Sequence, residues 1–228
     1  MSLAFDIRLQ YQLFFCPSCQ KTIKWFDNIP LISFLLLKRK CRNCDYKISF
    51  QYFIVELITA ISFTIIYYFY GISITSLLLV ILSVFFVIIF FIDLKHFIIP
   101  NSLTFPLMFI GFIKSFDPNL DNFLFPNYIN SLIGGVIGYL IIWLIIFVYK
   151  KVRNKEGMGL GDAKLLSAIG FWFGWVSIPF VLFLSSIIAL GLSLPSLINK
   201  SKNLSSQIPF GPYIILGITL YVFIKHMI

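Results

Sequence analysis

The chain has 228 residues, of which 59% are hydrophobic and only 12% are charged. Soluble globular domains are nearer half apolar and one quarter charged, so this composition excludes an ordinary soluble domain and favours a membrane protein. The formal net charge of +9 could also suggest a nucleic-acid-binding protein. The basic residues, however, are predicted to lie mostly on one side of a membrane, so the charge indicates membrane orientation.

Residues 1–50 are predicted to form a small separate domain that contains all four cysteines. Cys16-x-x-Cys19 and Cys41-x-x-Cys44 are separated by 21 residues, which is close to the spacing of two-knuckle zinc sites. Four thiolates in this pattern favour a closed, structural Zn²⁺ centre. Two disulfides are the alternative, although the domain is predicted to lie on the reducing cytoplasmic side. A redox-active pair is a minor interpretation, because no βαβ pattern surrounds either motif.

Residues 51–228 are predicted to form a transmembrane helical bundle. Crossing the hydrocarbon layer takes about 20 apolar residues. The apolar stretches indicate about seven such helices, roughly at 52–70, 74–92, 98–115, 129–149, 163–175, 177–198 and 210–227. Every Lys and Arg except Lys114 and Lys225 then falls on one side, which the positive-inside rule makes cytoplasmic. We therefore expect an all-α polytopic membrane protein in contact with the lipid bilayer and with no nucleic-acid partner.

Two aspartates stand at the boundaries of apolar stretches. Asp93 ends the charge-free run 57–92, and Asp162 precedes the charge-free run 165–199. An ionisable residue at such a boundary is costly and marks a candidate functional site. Two acids on one side can share a proton and catalyse peptide hydrolysis. The structural alternatives are an interface carboxylate paired with Lys95 for Asp93, and a helix N-cap for Asp162.

Three alternating glycines precede the second acid, in the segment 156–164. We expect Gly159 and Gly161 to form a loop that an extended substrate can approach, because glycine permits positive φ and close backbone contact. The spacing matches neither a Walker A loop nor a dinucleotide-binding fingerprint.

Other polar and aromatic residues receive structural interpretations. Glu56, about one turn inside the first span, is expected to reach the interface or to pair with a basic group of the cysteine domain. His96 is expected to be a polar residue at the interface. An aromatic belt at the opposite membrane surface is predicted for Phe171, Trp172, Phe173 and Trp175.

In combination, these motifs resemble the bacterial type IV prepilin leader peptidases, membrane aspartic proteases with a GxGD motif. Besides the cysteine pairs, the resemblance includes Asp27-Asn28-Ile29-Pro30, Asp93 with Pro100 seven residues later, Gly159-Leu160-Gly161-Asp162-Ala163-Lys164 and Pro209-Phe210-Gly211-Pro212. It implies that Asp93 and Asp162 are the catalytic pair. Similar proteins begin with a further apolar helix, and residues 2–8 resemble the segment that follows it.

The resemblance also implies substrates, a location and a second activity. The substrates would be pilin-like or pseudopilin precursors, cleaved at the cytoplasmic face of the bacterial inner membrane. Members with a four-cysteine domain commonly also N-methylate the new terminal residue with S-adenosylmethionine. Two alternatives are a peptidase without methyltransferase activity and a non-enzymatic, zinc-bearing assembly protein of a secretion or pilus complex.

Overall fold

The computed structural model describes residues 15–120, 124–153, 159–198 and 209–227. In these ranges the regular structure is helical, apart from two isolated β-bridges. The helices are α1 (Ile32–Leu36), α2 (Phe50–Tyr70), α3 (Ile74–His96), α4 (Asn101–Ile113), α5 (Tyr128–Arg153), α6 (Leu160–Phe173), α7 (Ser177–Ile198) and α8 (Gly211–Met227). The predictions for residues 2–8 and 156–158 lie outside the described residues.

Helices α2 to α8 overlap the seven predicted apolar segments, but they differ in length. By length and composition, three are able to cross a membrane: α2, α3 and the part of α5 at Tyr128–Val152. Ser177–Leu192 of α7 and the whole of α8 are shorter apolar helices. The 14 residues of α6 extend about 21 Å, less than the roughly 30 Å of a hydrocarbon core. The all-helical class is confirmed, and the count of seven spans stays a prediction.

The described chain forms two compact units, which divide between Phe69 and Tyr70. In the first unit, the start of α2 supports the short helix α1. The Phe34 and Phe53 rings stack with centroids 5.0 Å apart, and the Glu56 carboxylate accepts a 2.8 Å hydrogen bond from the Leu31 N–H. Glu56 therefore has a structural role toward the cysteine domain, although its partner is a main-chain amide and not a basic side chain.

Helix α6 is the centre of the second unit. It contacts α4, α5, α7 and α8, and ten of its 14 residues are buried. Its closest contact with α5 requires two facing glycines, because a Cβ on Gly134 would lie 2.5 Å from the Gly170 carbonyl oxygen. Such small residues allow helix backbones to approach closely where lipid provides no hydrophobic driving force.

The burial of α6 overturns the predicted aromatic belt for two of its members. Trp172 is fully buried and its indole N–H donates to the Leu107 carbonyl at 2.8 Å, while Phe173 is also buried. The Lys114 ammonium donates to the Trp172 carbonyl at 2.9 Å. Of the other two members, Trp175 is exposed and Phe171 is half-buried. The prediction was wrong for Trp172 and Phe173 because α6 is covered by neighbouring helices rather than by lipid.

Candidate active site

Asp93 lies in the last turn of α3. The helix ends because Phe97 adopts a left-handed conformation, with φ of 56°, and its N–H donates to the Asp93 carbonyl oxygen at 2.9 Å. A short turn then leads to Pro100, which is the N-cap of α4. Pro100 thus lies one position before the helix, whereas the predicted span 98–115 placed it within the first turn. The Asp93 side chain is buried where the chain turns back.

Asp162 lies in the first turn of α6, which begins three residues earlier than predicted. Gly159 is the N-cap and offers no side chain, and the Asp162 N–H donates to its carbonyl oxygen at 3.2 Å. The Asp162 carboxylate stays beside this turn, since its Oδ2 would lie 3.7 Å from a Cβ built on Gly159. The N-cap alternative for Asp162 is wrong, since this residue is the third of the helix, but a carboxylate in the first turn still stabilises the helix start through the helix dipole.

The two carboxylates occupy one buried region. Asp93 is 4% exposed and Asp162 is 7% exposed, and the charge of Asp93 acts on Asp162. In the part of the chain that the structure describes, neither acid forms an ion pair, and this includes the pairing of Asp93 with Lys95 that the sequence suggested. Two interacting buried carboxylates are not easily ionised together, so such a pair favours the singly protonated state. This arrangement can perform paired acid–base chemistry.

The glycines before Asp162 differ from each other in their surroundings. Gly159 has φ of −83°, and the positive-φ glycines of the described chain are Gly71 and Gly174. Neither Gly159 nor Gly161 therefore needs a positive φ, so that reason for glycine at these two positions is wrong. A Cβ on Gly159 would meet only atoms of its own turn, but a Cβ on Gly161 would lie 2.9 Å from the Ile99 Cβ. Gly161 thus permits the start of α6 to pack against the turn between α3 and α4.

A third segment reaches the acids from the start of α8. The buried Gly211 N–H donates to Asp93 Oδ2 at 3.0 Å. The Ile99 side chain lies beside both glycines, since its Cδ1 is 3.0 Å from the position that a Cβ on Gly211 would take. From the sequence, Pro209 to Pro212 are predicted to lead into the last helix and form part of the family resemblance. No pattern in the sequence pairs Gly211 with Asp93.

The four cysteines form a second candidate site in the first unit. Their sulfur atoms lie within 4.8 Å of one another, and none is in a disulfide. The 3.7 Å between the Cys16 and Cys44 sulfurs is close to the edge of about 3.8 Å that a tetrahedron with 2.3 Å metal–sulfur bonds has. The four cysteines can therefore hold a metal ion.

The backbone is arranged alike at the two cysteine pairs. In each knuckle the first cysteine donates its N–H to a carbonyl five residues later, Cys16 to Lys21 and Cys41 to Tyr46, both at 3.0 Å. Hydrogen bonds from the backbone amides of Cys19 and Ser18 lower the pKa of the Cys16 thiol to about 6. At Cys44 a hydrogen bond from the Tyr46 amide acts in the same direction, but burial and the neighbouring sulfurs outweigh it and raise the pKa to about 11. A metal ion binds thiolates rather than thiols, so metal binding would release the protons that the cluster still holds.

Comparison with known proteins identifies matches to both units. A model of the type IV leader peptidase family matches residues 79–194, and a model of the bacterial peptidase A24 N-terminal domain matches residues 6–70. Both candidate aspartates fall in the first match and all four cysteines in the second. No solved structure matches the chain.

Curated relatives cover most of the chain. Proteins named prepilin leader peptidase/N-methyltransferase are 36% identical over 206 residues in Aeromonas salmonicida, 38% over 197 in Neisseria gonorrhoeae and 35% over 199 in Pseudomonas aeruginosa. These alignments cover 86–87% of this chain and 66–67% of the relatives, so the chain spans about two thirds of their length. On both the family match and these identities, the chain belongs to the type IV leader peptidase family.

Proposed function

We propose that the protein is a membrane aspartic endopeptidase in which Asp93 and Asp162 share the catalytic proton. The observation that carries this proposal is the buried pair itself: two interacting carboxylates, brought together from α3 and α6, without an ion pair in the described chain. A salt bridge would be expected if their role were structural. The names of the relatives favour an enzyme over a non-enzymatic assembly protein.

The pair would hydrolyse a peptide bond in two steps. The ionised carboxylate takes a proton from water as the water oxygen bonds to the scissile carbonyl carbon, and the protonated carboxyl gives its proton to the carbonyl oxygen. The resulting diol collapses when the first carboxyl transfers its proton to the leaving nitrogen. The C–N bond breaks, and a diol hydroxyl returns its proton to the second carboxylate. The pair again holds one proton, so the cycle is balanced.

The proposed substrates are the leader sequences of pilin-like or pseudopilin precursors. This substrate class rests on the names of the relatives, which are prepilin leader peptidases. Gly159 lies beside the Asp162 carboxylate, since a Cβ built on it would be 3.7 Å from Oδ2, and both Gly159 and Leu160 are exposed. We assign this edge to the approach of the extended cleavage site. Among the described residues, a Cβ on Gly159 would meet only Asp162 and Gly161, at 3.7 and 3.8 Å, which supports this assignment.

The proposed membrane arrangement follows from the basic residues and the helices. All seven helices α2 to α8 would cross the bacterial inner membrane, with the cysteine domain and both acids at the cytoplasmic face. The short helix α6 need not match the hydrocarbon thickness by itself, because neighbouring helices and not lipid surround it. A labelling map of single cysteines placed at exposed loop positions tests this orientation.

The metal proposed for the cysteine cluster is a structural Zn²⁺. Among the described residues the group consists of four sulfur ligands. Four such ligands fit a closed tetrahedral site, which leaves no position for a reacting water. The ion would supply folding energy to the first unit rather than chemistry to the acid pair. Elemental analysis of purified protein should give one zinc per chain.

The second proposed activity is methylation of the new N-terminus with S-adenosylmethionine as the methyl donor. It is supported by the N-methyltransferase part of the relatives' names. When bound, this cofactor supplies an electrophilic methyl group. We assign no residue of the chain to its binding.

One experiment tests both activities. The protein is co-expressed with a pilin-like precursor, and the intact mass of the precursor is then measured. Cleavage removes the leader mass, and methylation adds one methyl group to the mature product. An uncleaved precursor beside well-folded protein would contradict the peptidase, whereas a cleaved and unmethylated product would contradict only the methyltransferase.

A further inference from the structure

The start of helix α8 makes a contact that helix formation does not require. The first N–H groups of any helix lack partners within the helix and are normally satisfied by solvent or by a nearby cap. Here the Gly211 N–H instead donates to Asp93 Oδ2, 118 residues earlier in the chain, at 3.0 Å and in a buried environment. This contact joins the end of α3 to the start of α8.

The absence of a side chain at residue 211 is a condition for this contact. A Cβ there would lie 2.7 Å from Asp93 Oδ2 and 3.0 Å from Ile99 Cδ1, and real Cβ atoms do not approach an oxygen so closely. Any other residue would therefore displace the Asp93 carboxylate, the Ile99 side chain or the start of α8. Glycine is needed here for close approach.

A main-chain donor has two physical consequences for Asp93. The N–H belongs to the first turn of a 17-residue helix, so it is rigid and carries the partial positive charge of a helix N-terminus. Since an N–H can only donate, the contact favours Oδ2 as the accepting, charge-bearing oxygen of Asp93 and leaves Oδ1 as the oxygen better placed to carry and exchange a proton. The rotation of the carboxylate is fixed at the same time, and fixed geometry is a large part of what a catalytic pair requires.

We propose that Gly211 is a positioning residue of the acid pair, whose N–H orients Asp93 so that Oδ1 is its reacting oxygen. This role rests on the proposed function, because the orientation of Asp93 affects catalysis only if Asp93 is a catalytic acid. The contact itself can be tested without activity, so the two can fail separately.

The first test is a double-mutant cycle in thermal unfolding. Gly211→Ala should lower the melting temperature in the wild-type background and clearly less in Asp93→Ala, because removing the carboxylate removes the nearest obstacle. Gly217→Ala is the matched control in the same helix, since its Cβ would meet Ser185 Oγ at 2.6 Å and the Val181 carbonyl at 2.9 Å. Its effect should be the same in both backgrounds. An equal effect of Gly211→Ala in both backgrounds would overturn the contact.

The second test is precursor turnover at a temperature where every variant is folded. Gly211→Ala should reduce kcat on the order of 100-fold with KM within about threefold, because a displaced carboxylate affects the reaction more than substrate binding. Gly217→Ala should keep its kcat. A normal kcat for Gly211→Ala would overturn the positioning role, while no cleavage by the wild type would instead overturn the proposed function. If Gly211→Ala does not accumulate, both tests are made in an Ile99→Val background, which removes the Cδ1 obstacle.

Discussion

The two units of the protein are organised by different interactions. In the second unit, α6 is buried along most of its length and contacts four other helices. In the described part of the first unit, the buried residues are Cys16, Ser33 and Phe34. The second unit therefore has a packed apolar core. The described part of the first unit has few buried residues and contains the cluster of four cysteines. A small domain with so little buried apolar area needs a metal or disulfides for its stability.

The candidate catalytic acids and the candidate metal ligands therefore lie in units that are stabilised in different ways. The acid pair lies in the unit that is stable through packing, so changing an acid should remove the reaction and leave the fold. The cysteines lie in the unit without a core, so changing a ligand should remove the local fold. Substitutions in the two units should therefore differ in whether they remove activity or local structure.

Replacing either catalytic candidate should abolish leader cleavage. For Asp93→Asn and Asp162→Asn we expect a loss of at least about 10⁴-fold in turnover, with no further loss in the double variant, because the two acids act as one unit. Thermal unfolding should change little, since asparagine has a similar volume. The measurement is precursor turnover at matched protein levels.

The matched control for the acids is Asp117→Asn. Asp117 is exposed, and its carboxylate accepts a hydrogen bond from the Asn119 N–H within its own turn, so this variant should retain full turnover. Substantial cleavage by well-folded Asp162→Asn protein would contradict the paired-acid mechanism.

Removing one cysteine ligand should unfold the first unit and leave the second intact. For Cys41→Ser we expect loss of the metal and free alkylation of the three remaining thiols, because metal binding supplies on the order of 10 kcal/mol of folding free energy at such sites. Ser18→Ala, inside the first knuckle but without a metal-ligating side chain, should keep one metal per chain. Native wild-type protein with four freely alkylated thiols and no metal would reject the zinc site.

Helix positions could be predicted from the sequence better than helix surroundings. The charge-free runs located α2 to α8 because both lipid and a protein core require apolar residues. For the same reason they did not distinguish Trp172, buried by neighbouring helices, from Trp175, which is exposed. The hydropathy of a segment indicates that it avoids water, but not what covers it.

The two acids of the candidate site could be picked out from the sequence, but the contacts that hold them in place could not. Asp93 and Asp162 were found because isolated charges beside apolar runs are costly. The start of α6 was misplaced by three residues because Gly159 caps it without a side chain, so the usual cap signal is absent. The bond from Gly211 to Asp93 connects residues far apart in the chain, and no local pattern encodes such a contact.

Gly161→Ala should reduce cleavage by roughly 10- to 100-fold. The new Cβ would lie 2.9 Å from the Ile99 Cβ, so the start of α6 must move relative to the turn that follows Asp93, and small misplacements of catalytic groups have effects of this size. Leu160→Ala, at a half-exposed side chain one residue earlier, should have a mild effect. Equal turnover by the two variants would show that Gly161 has no special part in the site.

Gly170→Ala should destabilise the second unit by about 1–3 kcal/mol, because the added methyl group would overlap the backbone of Gly134. The matched control is Gly191→Ala in α7, where a Cβ meets nothing within 4 Å. That change should be neutral or stabilising by up to about 1 kcal/mol, because alanine is the better helix former. Unfolding in denaturant measures both. A neutral Gly170→Ala variant would contradict the close contact between α5 and α6.

The smallest expected effect concerns the ion pair of the first unit. The Arg42 guanidinium donates to both Asp27 oxygens, at 2.6 and 2.8 Å, and these hydrogen bonds lower the pKa of Asp27 below its ordinary value of 3.8. A carboxylate with a lowered pKa stabilises the fold above that ordinary value and loses this contribution only as the pH falls through the folded-state pKa. Asp27→Asn should therefore lower the melting temperature of the metal-loaded protein slightly, and equally at about pH 5 and about pH 7. A difference between wild type and variant that shrinks between these two pH values would show that Asp27 titrates higher than its pairing with Arg42 allows.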